Sequence, residues 1–149
     1  MALRILRIAL EVLALLILLA SILFLIVVWE PIPDRVPTNF GIGGEITGWS
    51  GKTSLLALPV INVILFAVLT VTNRVTFGTR RREIPPSGRI WLSALKLSIT
   101  ALFGAIMVFS ALARPLPAWF LPASLAAALV PSTGLTVVSM RWERRRRGR

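Results

Sequence analysis

The chain has 149 residues, of which 56% are hydrophobic and only 15% are charged. This balance is too apolar for an ordinary soluble domain and predicts a protein of the lipid bilayer. The absence of cysteine and histidine excludes disulfides, thiolate metal sites and histidine-based acid-base chemistry. The formal net charge of +11 is typical of nucleic-acid binding, but here the arginines lie at the ends of apolar segments.

The first apolar segment, residues 8–28, is long enough to cross the hydrocarbon core as a helix. Two arginines precede it, Arg4 and Arg7, as they would in a signal peptide. The segment is longer than the apolar region of such a peptide, and no small-residue cleavage site follows it. We therefore expect a retained signal-anchor helix.

The loop at 29–52 is unusual in composition. Pro31, Pro33 and Pro37 force its first half into extended chain, and five glycines in its second half permit tight reversals. This pattern predicts a short β-hairpin, with aromatic residues that anchor it at the headgroup layer. The alternative is a solvated connector with no role of its own.

The sequence of the same loop is similar to that of a known family of membrane proteins. The segment from Ile32 to Phe40, followed by Gly44, Trp49 and Lys52, resembles a bacterial membrane family known as domain of unknown function 1648. In that family the loop lies between the first two membrane helices and contains Pro-Thr-His-Phe. In this chain Asn39 occupies the position of that histidine. Asparagine does not titrate and is a poor metal ligand, so we expect neither proton transfer nor metal binding at this position.

The resemblance implies a function for the loop. Relatives include immunity proteins that protect a bacterium from its own secreted peptide toxin, and some of them hold a repressor at the membrane. Those relatives have an additional membrane domain that has no match in the second half of this chain. By this resemblance the residues that contact a ligand or partner are Asp34, Arg35, Pro37, Thr38, Asn39, Phe40, Gly44, Trp49 and Lys52.

Three further spans are predicted at 55–75, 90–113 and 120–140, followed by a basic tail at 141–149. Pro131 should kink the last span. The predicted fold class is an all-α membrane protein. It has four transmembrane helices in one membrane domain, 1–149, and a structured extracytoplasmic loop between the first two.

Polar residues inside these spans should face other helices. For Glu11 we favour pairing with Arg7 near the interface, and for Lys96 a side chain that extends back to the headgroups. The sharper alternative is an intramembrane ion pair between Glu11 and Lys96. Asn62 and Asn73 share one face of the second span, where helix packing is the favoured role. The third span has a stripe of small and polar residues at helical spacing: Ser93, Lys96, Thr100 and Gly104.

The distribution of lysine and arginine predicts the topology. The N terminus, the connector between spans two and three, and the tail carry most of the basic residues, so these parts should be cytoplasmic. The loop at 29–52 should then face outward from the bacterial inner membrane. For the basic ends we expect anionic lipid headgroups as partners rather than RNA or DNA.

The sequence favours a binding function over catalysis. It has no phosphate-binding loop, no paired carboxylates and no catalytic triad, so we expect neither an enzyme nor a cofactor. One hypothesis is a recognition or protection protein that uses the outward loop. The other is a structural or accessory subunit of a larger membrane complex. A small transporter has less support, and a homo-oligomer is compatible with each of these.

Overall fold

A computed structural model describes residues 2–79, 86–130 and 133. Its long helices are α1 (Ala2–Val27), α2 (Ala57–Thr79) and α3 (Pro86–Ala111). Strands β1 (Arg35–Phe40) and β2 (Ile46–Gly51) lie between α1 and α2, and a 3-10 turn (Lys52–Leu56) leads from β2 into α2. A shorter apolar helix, α4, covers Phe120–Val130.

The described residues contain three helices that are long and apolar enough to cross a membrane, at Leu3–Val27, Lys52–Val75 and Ile90–Ala111. They establish a mostly helical membrane protein. The described part of α4 is too short to cross alone, and the rest of the predicted span 120–140 lies outside the described residues. The same holds for Pro131, the tail at 141–149 and the arginines at 80–82.

Helix α3 lies between α1 and α2 and has the most extensive contact with α1. Along α3, Ser93 meets Glu11 and Gly104 meets Ser21, so α1 and α3 run in the same direction. Helix α2 runs the opposite way. Its Asn73 lies beside Ser93 and its Asn62 lies beside Thr100, seven residues further along α3.

The predicted stripe on α3 is the face that packs into the bundle. Ser93, Lys96 and Thr100 are all at most 1% exposed, and Gly104 is also buried. A Cβ at Gly104 would lie 3.5 Å from the Cβ of Ser21, so the absence of a side chain brings the backbones of α1 and α3 close together.

The loop between α1 and α2 forms the predicted hairpin. Its strands are antiparallel, with Arg35 opposite Gly51 and Phe40 opposite Ile46, and the register is irregular around Asn39. The turn closes where the Gly41 N–H donates to the Glu45 carbonyl at 2.8 Å. The sequence pattern of prolines followed by glycines therefore predicted the hairpin correctly.

The hairpin lies against the ends of the three long helices. Val36 of β1 is fully buried, together with Leu25 of α1, Leu55 of the 3-10 turn and Met107 of α3. Ile32 joins the same core; it lies in the turn between α1 and β1, where its N–H donates to the Trp29 carbonyl at 3.3 Å, and not in the extended chain that the prolines predicted there. The burial of these apolar side chains stabilises the position of the hairpin relative to the bundle.

The connection from α3 to α4 contacts the hairpin turn. Leu116 is 3% exposed, and its N–H donates to the carbonyl of Gly44 at 3.0 Å. Gly44 has a φ of +83°, in the left-handed region that favours glycine. This contact places the hairpin and the α3–α4 connection on the same side of the bundle.

Candidate binding surface and intramembrane polar cluster

The outer surface of the hairpin combines a charged, a polar and an aromatic side chain. Arg35 and Asn39 of β1 are exposed, and Trp49 of β2 is 55% exposed. Trp49 lies opposite Pro37, which is less than 2% exposed. We refer to the surface formed by Arg35, Asn39 and Trp49 as the outer face of the hairpin.

Close contacts within the hairpin hold the polar side chains in place. The amide of Asn39 lies against Gly48, where an added Cβ would be 2.6 Å from its Nδ2 atom. The hydroxyls of Thr38 and Ser50 share a hydrogen bond of 3.0 Å across the strands. Gly48 therefore makes room for the Asn39 side chain that the sequence analysis singled out.

Lys52 joins the end of the hairpin to the end of α1. Its backbone N–H donates to the carbonyl of Asp34 at 2.9 Å, which continues the strand pairing by one residue. Its ammonium lies 4.9 Å from the centre of the Trp29 ring and 3.5 Å from the Glu30 carbonyl oxygen. The cation-π contact and the hydrogen bond both restrain the exit of the chain from α1.

The nine loop residues that the resemblance implicated differ in accessibility. Two of them, Pro37 and Gly44, are buried, and they shape the hairpin rather than face a ligand. The others reach the surface to some extent. Asp34, Arg35, Asn39 and Trp49 are exposed, and Thr38, Phe40 and Lys52 are half-buried.

A second polar site lies between the three long helices. The Lys96 ammonium of α3 donates a hydrogen bond to the Glu11 carboxylate of α1, and the two form an ion pair. Lys96 also donates to the Thr70 hydroxyl of α2 at 3.1 Å. The Asn73 amide of α2 and the Ser93 hydroxyl of α3 donate to the carboxylate at 3.3 and 2.6 Å. We call these five residues the polar cluster.

The polar cluster corrects the favoured interpretation of its two charged members. Lys96 is 1% exposed and lies six residues into the Ile90–Ala111 span, roughly 9 Å along the helix axis. Its side chain therefore contacts Glu11 rather than the headgroups, and the ion pair offered as the sharper alternative is the arrangement in the structure. Because each charge has an opposite charge and hydrogen-bond partners, the cluster avoids an isolated ion in hydrocarbon.

The ring of Phe66 completes the surroundings of Lys96. The ammonium lies 4.4 Å from the centre of this ring. Phe66 precedes Thr70 by one helical turn on α2. The aromatic face offers a favourable contact for the cation. Nothing in the sequence indicates this contact between Phe66 and Lys96.

Asn62 connects α2 to α3 further along the bundle. It is 2% exposed, and its amide donates to the carbonyl of Thr100 at 3.3 Å. Its Oδ1 atom and the hydroxyl of Ser110 are buried without a hydrogen-bond partner among the described residues. Asn62 therefore contacts a neighbouring helix, as a polar residue within a span should.

The described residues form three helices that can span a membrane and a hairpin that packs against the ends of these helices. This arrangement is that of a polytopic membrane protein with a structured loop. The model of one protein family, described as Domain of unknown function (DUF1648), matches residues 16–63. The matched segment, which includes the second half of α1, the whole hairpin and the beginning of α2, is similar to this family. No curated protein and no solved structure matches the chain.

The matched segment contains the outer face of the hairpin but none of the five residues of the polar cluster. Glu11, Asn73 and Lys96 lie outside residues 16–63, whereas Asn62 lies within them. The ion pair is therefore a feature of this chain beyond the matched segment, and the hairpin is the feature that the match covers completely.

Proposed function

We propose that this membrane protein uses the outer face of its hairpin to recognise a ligand on the exterior of a bacterial inner membrane and protects the cell in doing so. The observation that carries the proposal is the combination of a buried and an exposed side in one small element. Val36 packs into the core at the helix ends, while Arg35 and Trp49 remain accessible. A surface that is already ordered needs little ordering when a ligand binds.

The orientation that this function requires follows from charge. Lysine and arginine are concentrated at the N terminus, between spans two and three, and in the tail, so the proposed topology has four spans and cytoplasmic termini. The hairpin then faces outward. The basic ends bind anionic lipid headgroups in this arrangement.

The proposed biological role is immunity to a secreted peptide toxin, which is the role that the family resemblance implies. The protein acts by binding or blocking the peptide and not as an enzyme. Arg35 supplies a cation with several hydrogen-bond donors, Asn39 supplies a donor and an acceptor, and Trp49 supplies apolar area with a donor at its edge. These groups suit a peptide that has both polar and apolar side chains.

The test is a challenge of cells with and without the gene, using a panel of membrane-active peptides. We expect the gene to raise survival against at least one of them. Against that peptide, the variants Arg35→Ala, Asn39→Ala and Trp49→Ala should lower survival at an equal level of protein in the membrane. Ile42→Ser is the matched control, because Ile42 is 78% exposed on the turn but lies outside the outer face.

Two results would count against this proposal. One is equal survival with and without the gene across the whole panel. The other is protection that persists in all three outer-face variants. If mild-detergent purification recovered a second protein in fixed ratio, the role of an accessory subunit would be favoured instead.

A further inference from the structure

The two edges of the hairpin differ in how well they are protected from pairing with a further strand. On β1, Pro37 has no N–H and is less than 2% exposed, and this strand packs against α3. Strand β2 packs on β1 and the 3-10 turn and makes no contact with α1, α2 or α3, and its residues alternate between half-buried and exposed. Proteins usually protect an open edge with proline, charge or a covering segment, and the β2 sequence ITGWSG has neither proline nor charge.

The strand pairing shows which backbone groups of β2 face its free edge. The Lys52 N–H donates to the Asp34 carbonyl, so the next pair along the strands, Arg35 and Gly51, does not exchange hydrogen bonds. In such a pair the N–H and C=O groups point away from the partner strand. The Gly51 N–H therefore points to the free edge.

The same alternation applies two residues further along. Trp49 lies opposite Pro37 in the next pair of this kind, so its N–H and C=O also point to the free edge. The Gly51 carbonyl accepts a hydrogen bond from the Ser54 hydroxyl at 2.7 Å, which ends the row of free groups there. Among the described residues, two donors (the Gly51 and Trp49 N–H groups) and one acceptor (the Trp49 carbonyl) therefore remain without a partner, at the spacing that a third strand would match.

We infer that the free edge of β2 binds an extended peptide segment, which adds to the hairpin as a third strand. This inference rests on the proposed function and specifies its ligand, since a secreted peptide has the backbone groups that such an edge matches. Main-chain hydrogen bonds supply affinity for many sequences, and neighbouring side chains supply selectivity. The exposed ring of Trp49 is the neighbouring side chain at the centre of this edge.

Gly51 permits a test that changes the edge and preserves the hairpin. Its φ of −67° and ψ of 152° are values that proline adopts. Its N–H takes no part in pairing with β1, and the nearest atom to an added Cβ is the Thr53 hydroxyl at 4.0 Å. Gly51→Pro therefore removes a free donor and places a ring at the edge, whereas Gly51→Ala retains the donor and is the matched control.

The experiment selects linear eight-residue peptides from a phage-displayed library on the full chain in lipid nanodiscs, and then measures the affinity of the enriched peptides. We expect wild type and Gly51→Ala to bind them equally, and Gly51→Pro to bind them about tenfold more weakly or worse, because a donor is lost and the edge is blocked. Methylation of alternate backbone nitrogens in an enriched peptide should also abolish binding.

Three results would overturn the inference. They are a selection that enriches no peptide above empty nanodiscs, equal affinity of Gly51→Pro and Gly51→Ala, and occupation of the edge by a second copy, seen as a dimer that Gly51→Pro dissociates. Each of them leaves protection through Arg35, Asn39 and Trp49 to be judged in the cell challenge. Conversely, a failed cell challenge does not change the comparison of Gly51→Pro with Gly51→Ala.

Discussion

Lys96 of α3 and Glu11 of α1, 85 residues apart in the chain, form an ion pair within the membrane-spanning part of the bundle. Thr70 and Asn73 bring α2 into the same network. The hairpin contacts the opposite ends of these helices, through Val36. The arrangement of the helices that support the outer face therefore depends on polar contacts at one end and on an apolar core at the other.

Removing one charge of the pair should destabilise the bundle strongly. Glu11→Leu leaves the buried Lys96 ammonium without its opposite charge and should lower the free energy of unfolding by about 3 kcal/mol. Lys96→Met leaves the half-buried Glu11 carboxylate, which keeps its hydrogen bonds from Asn73 and Ser93, and should lower the free energy of unfolding by less. The double variant leaves no isolated charge. Its decrease in the free energy of unfolding should therefore be well below the sum of the decreases in the two single variants. Reversible unfolding in mixed micelles, followed by tryptophan fluorescence, measures these values.

Arg4→Gln is the control for this double-mutant cycle, because Arg4 is an exposed basic residue near the same end of α1. It should change the free energy of unfolding by less than about 0.5 kcal/mol. Additive effects of Lys96→Met and Glu11→Leu would contradict the ion pair.

Gly104 should tolerate a methyl group but not a large side chain. An added Cβ makes ordinary contacts with Ser21 at 3.5 Å and with Ile17 at 3.6 Å, so Gly104→Ala should fold normally. Gly104→Leu must separate α1 from α3 and should lower the free energy of unfolding by about 2 kcal/mol. Ala126→Leu, on the exposed side of α4, is the matched control, and equal stability of the two leucine variants would disprove the close contact.

Gly44 should be sensitive to the smallest substitution. Gly44→Ala forces a Cβ into a backbone with a φ of +83° and against the carbonyl of Leu116, which should cost about 2 kcal/mol or more. Gly51→Ala, at a φ of −67°, should change stability by less than about 0.5 kcal/mol. Thermal unfolding in detergent micelles compares the two, and a Gly44→Ala protein as stable as Gly51→Ala would refute the contact between the turn and the α3–α4 connection.

Local sequence patterns predicted the features that depend on neighbouring residues. Prolines before Asn39 and glycines after it predicted the hairpin, because their preferred φ angles act within a few residues. The apolar length of each span predicted the three helices in the same way. The spacing of Ser93, Lys96, Thr100 and Gly104 predicted the packed face of α3, since helical periodicity is also local.

Contacts between distant segments required the structure. The sequence offered an ion pair of Glu11 with Lys96 as one alternative, but only the order of helices in the bundle decides which partner each charge meets. Gly44 was assigned to ligand contact because nothing in the sequence indicates that Leu116 covers it. Pro37 was assigned likewise, and it proved buried opposite Trp49 because the strand register determines its neighbours.

The proposed function requires that the outer face of the hairpin is presented to the cell exterior. The chain has no cysteine, so Asn39→Cys creates one thiol at an exposed position of β1. A membrane-impermeant maleimide should label this thiol in intact cells as completely as in permeabilised ones. Labelling that requires permeabilisation would place the hairpin in the cytoplasm and contradict the proposed function.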